Sequence, residues 1–97
     1  MFARVSTGQV KSEKMDEFSK IYEESIIPAA KSQKGFCGDW LLTNRETGKG
    51  IAISFWDNED DAIANEQSGY YQEQVDKVKH LMTALPIREG YEVSIKV

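Results

Sequence analysis

From Phe2 to Val10 apolar and polar residues alternate modestly and several are β-branched, which predicts a first strand closed by the polar pair Lys11 and Ser12. Ser12 is a suitable N-cap for a helix. Met15, Phe18, Ile21, Tyr22, Ser25, Ile26 and Ala29 recur at helical spacing, while Glu13, Asp16, Lys20 and Glu23 occupy the opposite side. Pro28 lacks an amide hydrogen and crowds the preceding turn, so this long helix is expected to kink or end near Ile27, with Gly35 as the final stop. Phe36 to Thr43 predicts a second strand, Asn44 to Gly50 a turn, and Ile51 to Trp56 a third strand that makes a hairpin with the second. Asn58 then caps a short helix from Glu59 to about Glu66, with Glu59, Asp60 and Asp61 complementing its dipole. Ser68 is expected to cap another helix, whose apolar stripe is Tyr71, Val75, Val78 and Met82. Pro86 ends that helix and opens the last strand, Ile87 to Val97. There Ile87, Tyr91, Val93, Ile95 and Val97 oppose Arg88, Glu92, Ser94 and Lys96 in the clearest alternation of the chain.

The order β, α, β, β, α, β, without repeats, low-complexity tracts or linkers, is the split βαβ pattern of an α+β fold, read as one domain over residues 1–97. In it both helical segments cover one face of a four-stranded antiparallel sheet and leave the other bare. Strand parity separates an apolar set (Val5, Ile53, Phe55, Tyr91, Val93, Ile95) from a mixed set (Phe2, Arg4, Ser6, Ser54, Trp56, Arg88, Glu92). The apolar set is expected under the helices. The mixed set is expected on the open face, where two aromatics among charges suit a sheet-to-sheet homodimer.

Composition narrows the function classes. A chain of 97 residues buries only roughly 60 to 65% of the surface its unfolded form exposes, so a partner would help it. No apolar run approaches the ~20 residues needed to cross a bilayer, and no membrane partner is expected. Twelve basic against sixteen acidic residues give a net charge of −4, which opposes phosphate neutralisation; nucleic acid is not an expected partner. The single cysteine, Cys37, permits no internal disulfide, and the residues around Phe2 and Ala3 carry no signal-peptide pattern; the expected compartment is cytoplasmic.

Few residues carry candidate chemistry. Trp56 can wall a pocket for a planar substrate or bury its ring in core or interface. Tyr71 falls on the apolar stripe, whereas Tyr70 is offset and can present its hydroxyl to a ligand. His80, the only histidine, lies on the polar side of its helix and is read as a solvated surface residue, so a metal would have to rely on carboxylates alone. Cys37 is read as a buried small hydrophobe without a neighbouring base. Arg4, Arg88 and Glu92 share one sheet face on neighbouring strands and are expected to form cross-strand ion pairs, or Arg88 to meet a substrate phenolate. Phosphate loops, nucleophile elbows and spaced carboxylate pairs are not found.

Five stretches together resemble the antibiotic biosynthesis monooxygenase family of dimeric α/β barrels: FARVSTGQV, IIPAAKSQKGFCG, ISFWDNEDDA, SGYYQEQV and YEVSIKV. The resemblance implies a ferredoxin-like protomer, a homodimer forming the barrel, and a cavity between sheet and helices in each subunit. Some members oxidise polycyclic phenols with molecular oxygen and no cofactor, others degrade haem, and many have no known activity. Trp56 matches the family's site tryptophan. The haem-degrading branch adds an asparagine on the first strand and a histidine ten residues after the tryptophan, where this chain has no asparagine and Glu66; no cofactor is therefore expected. The phenol-oxidising branch expects an asparagine four residues before the tryptophan, where this chain has Ala52. The resemblance thus implies cofactor-independent oxidation of a small phenol or quinol, with Trp56, Tyr70 and Arg88 binding substrate, Trp56 as the one catalytic candidate, and no metal. The alternative is a ligand-binding or stress-related dimer without turnover.

Overall fold

The computed structural model describes residues 1–97. Strands β1 (Phe2–Val10), β2 (Phe36–Thr43), β3 (Lys49–Trp56) and β4 (Met82–Glu92) form one antiparallel sheet in the order β2-β3-β1-β4. The helical layer between β1 and β2 consists of α1 (Met15–Ile21), a π segment (Tyr22–Ile26) and α2 (Ile27–Ala30); between β3 and β4 lie α3 (Glu59–Gln67) and α4 (Tyr70–Val78). This is the expected α+β arrangement. The core cluster joins Met15, Phe18, Tyr22 and Ile26 of the first layer to Val10, Val78 and Leu81, as the helical periodicity required.

Several boundaries differ from expectation, each for a local reason. Pro28 does not end the helix, because the carbonyl it would strike, four residues earlier at Glu24, lies in the widened π segment; the helix runs on to Ala30. Ser12 makes no cap: a 3₁₀ turn over Ser12–Lys14 carries the chain into α1 instead. Asn58 caps α3 as expected, its Oδ1 accepting from the Asp61 amide at 2.9 Å. Gly69, at φ 88°, holds the cap position of α4, while the Ser68 hydroxyl accepts from the Tyr70 amide at 3.3 Å. Helix α4 ends at Val78, so Met82 belongs to β4, and Pro86 lies inside that strand. There Leu85 and Pro86 stand opposite the single Gly8 at a register slip, on an edge strand, where a missing N–H costs no ladder bond. Beyond Glu92 the expected strand stops. Phe2, the first residue of β1, pairs with Glu92, and thereafter only the Val93 amide finds a partner, the Met1 carbonyl at 3.0 Å.

The two sheet faces are the reverse of the parity assignment. Arg4, Ser54 and Trp56 are buried under the helices, whereas Val5, Ile53 and Phe55 look outward together with Trp40, Ile87 and Tyr91. Hydrophobicity misassigned the faces because the covered one is not a dry core. Its polar side chains are satisfied by groups on α3 and α4.

Candidate functional site

Between the sheet and the helices lies a partly open cavity of about 100 Å³. Fourteen of its 22 lining residues are hydrophobic, so the few polar groups that reach it are the ones able to orient a ligand.

Trp56 forms the inner wall. Its residue is 1% exposed, its Nε1–H donates to Ser54 Oγ at 2.9 Å, and Phe36 meets it edge-on with ring centres 5.8 Å apart. Arg4, only 6% exposed, holds its guanidinium carbon 5.2 Å from the Trp56 ring centre and 4.7 Å from that of Tyr71. Its Nη1 donates to Asn65 Oδ1 at 2.9 Å and to Glu66 Oε2 at 3.3 Å. Asn65 is fixed in turn by donating to Gln33 Oε1 at 3.0 Å. The acid that pairs with Arg4 is therefore Glu66 of α3 rather than Glu92, because this face is covered by helices. Glu66 also takes Arg88 at 3.3 Å. Arg88 stacks 4.9 Å from the Tyr71 ring centre and lies outside the lining of the main cavity; the cation inside it is Arg4.

Polar groups on the helical side complete the lining. Tyr71 shares a 2.9 Å hydrogen bond with Ser6 Oγ. The Tyr70 hydroxyl and Gln74 Oε1 are buried without a partner, and both residues line the cavity. Burial pushes the Tyr70 hydroxyl above its ordinary value. Tyr22, on the π segment, donates its O–H to Asp39 Oδ1 at 2.5 Å. Burial drives the Asp39 carboxyl up to about 6, against the opposing pull of the Tyr22 hydrogen bond and Arg4. Tyr22 is itself driven up, first by burial and then by the Asp39 charge.

Asp39 points inward because of one irregularity. Phe36 pairs with Trp56 and Gly38 with Phe55, so Cys37 is an extra residue in β2, and the bulge reverses the facing of everything after it. For the same reason Cys37 is not the buried strand residue expected. It is exposed, with Sγ 3.1 Å from Asp57 Oδ1, and hydrogen bonding to that carboxylate raises the thiol's pKa. His80 is exposed, as expected, on the turn Lys79–Leu81, with Nε2 3.8 Å from Glu17 Oε2. It does not line the cavity, and position 66, ten residues beyond Trp56, is a glutamate held by two guanidiniums. An imidazole-ligated haem does not fit these residues.

The structure thus brings Trp56 and Tyr70 to one cavity and leaves Arg88 behind Tyr71. Arg4, Asp39, Tyr22, Asn65 and Gln74 were missed as site residues. The available signal was a run of polar residues at one parity on β1 and β3, Arg4, Ser6 and Ser54, which on a covered face marks a polar-lined cavity.

No curated protein matches the chain by sequence. Solved structures match it in fold. A monooxygenase of Streptomyces coelicolor, ActVA-Orf6, solved in complex with nanaomycin D, superposes with a TM-score of 0.83 at 12% identity, over 99% of this chain and 89% of that one. A protein of Bordetella bronchiseptica bearing the name antibiotic biosynthesis monooxygenase gives 0.82 at 16% identity, over 97% of each chain. A conserved protein of Methanosarcina mazei gives 0.76 at 18% identity, over 94% of this chain and 90% of that one. The family model for antibiotic biosynthesis monooxygenases matches residues 1–77, which include β1, β2, β3 and Trp56, and the chain belongs to that family.

Proposed function

We propose that the protein is a cofactor-independent monooxygenase that oxidises a small phenol or quinol in this cavity and works as a homodimer joined through the open sheet faces. Family membership and the monooxygenase-type neighbours support the reaction class, and one neighbour of this fold was solved in complex with nanaomycin D, which supports a small-molecule ligand. The observation that carries the reading is the Arg4 guanidinium, buried against Trp56 and Tyr71 at the wall of an apolar cavity.

Such a reaction balances without a cofactor. A phenol bearing a ring C–H loses its O–H proton; the phenolate passes an electron to oxygen, and the radical pair joins as a carbon peroxide. Protonation, loss of the C–H proton and cleavage of the O–O bond then yield a quinone and water. The substrate supplies four electrons, and each oxygen atom takes two. The protein must hold the ring, stabilise the phenolate and exclude water. Trp56 walls the ring, Arg4 places a fixed cation beside the anion, and the free Tyr70 hydroxyl is a donor for its oxygen.

Oxygen uptake with a panel of quinols and anthrones tests this. Wild type should consume oxygen above buffer, and Arg4→Met should lose most of that rate. The second reading, a ligand-binding dimer without turnover, is favoured by Ala52, which puts a methyl group in the cavity lining where a polar partner of Trp56 is expected. Aromatic ligand binding with no oxygen consumption by wild type across the panel would decide for it.

A further inference from the structure

Among the residues lining the cavity Asp39 is the only carboxylate, and there is no histidine, lysine or cysteine. The other ionisable groups present are the hydroxyls of Tyr22, Tyr70 and Tyr71 and the guanidinium of Arg4. The guanidinium stays charged, and burial makes the Tyr22 and Tyr70 hydroxyls weaker acids still. One group is left that can take a proton at neutral pH. Two departures from regular backbone bring it there: the bulge at Cys37 turns Asp39 inward, and the π segment carries the Tyr22 that holds it. π segments inside helices recur at functional sites.

We propose that Asp39, held by Tyr22, is the proton acceptor for the phenolic O–H of the bound aromatic. This rests on the monooxygenase reading and assigns a residue that the family resemblance does not supply. The O–H bond breaks, its proton passes to the free oxygen of the Asp39 carboxylate, and its electron pair stays on the phenolate oxygen. Because a phenol is a weaker acid than a carboxyl, the transfer needs Arg4 and the Tyr70 hydroxyl to hold the anion. The carboxylic acid so formed then returns the proton to the peroxide anion, restoring the carboxylate. Tyr22 is a positioning residue, since its hydroxyl is occupied by Asp39.

The charged and titratable groups facing Asp39 are Arg4 from β1, Tyr22 from the π segment and Tyr70 from α4, with Glu73 acting on Tyr70. For wild type, kcat/KM for a quinol should rise with pH through an inflection near 6. Asp39→Asn, nearly isosteric, should lose that limb and roughly a hundredfold or more in rate. The Tyr22 hydrogen bond lowers the Asp39 pKa, so Tyr22→Phe should move the inflection to higher pH, which a merely structural residue would not do. Calorimetric binding of 2-naphthol between pH 5 and 8 gives a readout independent of turnover: affinity should strengthen through the same inflection in wild type and be flat in Asp39→Asn. An Asp39→Asn protein that keeps the wild-type pH dependence of binding or of rate overturns the assignment. Loss of the monooxygenase reading is a separate event, shown by a wild type that uses no oxygen but still binds 2-naphthol with the Asp39-dependent profile.

Discussion

Arg4 shows how a charge is kept inside a domain this small. Its guanidinium leaves water only because Asn65 and Glu66 accept from it and two aromatic rings lie against it. Removing one member of such a buried set strands the rest, at a cost of about 3 to 5 kcal/mol. Glu66 keeps Arg88 when Arg4 is gone, so Arg4→Met should sit near the lower figure, about 3 kcal/mol by urea unfolding. Asp39 has the opposite character. Its folded pKa of about 6 lies above the ordinary ~3.9, so its stabilising share is complete at low pH and is lost as pH rises through 6. Two units would be worth nearly 3 kcal/mol, and partial exposure screens this to about 1 to 2. Asp39→Asn should therefore gain that much relative to wild type between pH 4 and pH 7.5, measured as paired urea midpoints; a constant difference would mean that the carboxyl titrates normally. These residues were hard to read from the chain because what makes them matter is distant in sequence. Arg4 and Ser6 find their partners more than sixty positions away, at Asn65, Glu66 and Tyr71, and no local pattern announces that. Trp56 was named through the family resemblance, although strand parity set it on the open face, and Tyr70 by its offset from the apolar stripe; both line the cavity.

At the scale of elements the sequence predicts well wherever one period holds, and less well where it is interrupted. Met15, Phe18, Tyr22 and Ile26 were legible as one helix face and are all buried. The widened turn before Pro28, the extra residue at Cys37 and the slip at Pro86 each add or remove a fraction of a period, and all three border the cavity. The bulge also explains why Asp39 escaped notice: counted from Phe36 in a regular strand, it would point out. The junction between helices and β2 depends on Gly35 at φ 80°, whose carbonyl accepts from the Asp57 amide at 2.8 Å. A Cβ there would collide with the Asp61 side chain in a conformation that L-residues resist. Gly35→Ala should cost at least about 2 kcal/mol and, by shifting α3 against β2, weaken aromatic binding as well. Full retention of both stability and 2-naphthol affinity would show that the junction adapts freely.

For the whole molecule the reversal of the sheet faces strengthens the case for association. The outward face carries Trp40 at 63% and Ile87 at 71% exposure, with Leu42 and Tyr91 also exposed. Trp40 stands edge-on to Phe55 with ring centres 5.7 Å apart, and Val5, Ile53 and Ile51 fill the rows between, so the apolar surface is continuous rather than scattered. A contiguous apolar patch of this kind is what protein interfaces cover. A second copy of the chain presents the same patch and satisfies twofold pairing without any further component. Trp40, an amphipathic ring with much area still to lose, is the expected anchor of that contact. Trp40→Ala should weaken self-association by about 2 kcal/mol, near thirtyfold in Kd by sedimentation. Because folding and pairing are linked by mass action, the wild-type melting temperature should also rise with protein concentration, and that slope should shrink in the variant. A wild type that sediments as a monomer at tens of micromolar, with a melting temperature independent of concentration, would leave this face to a different partner.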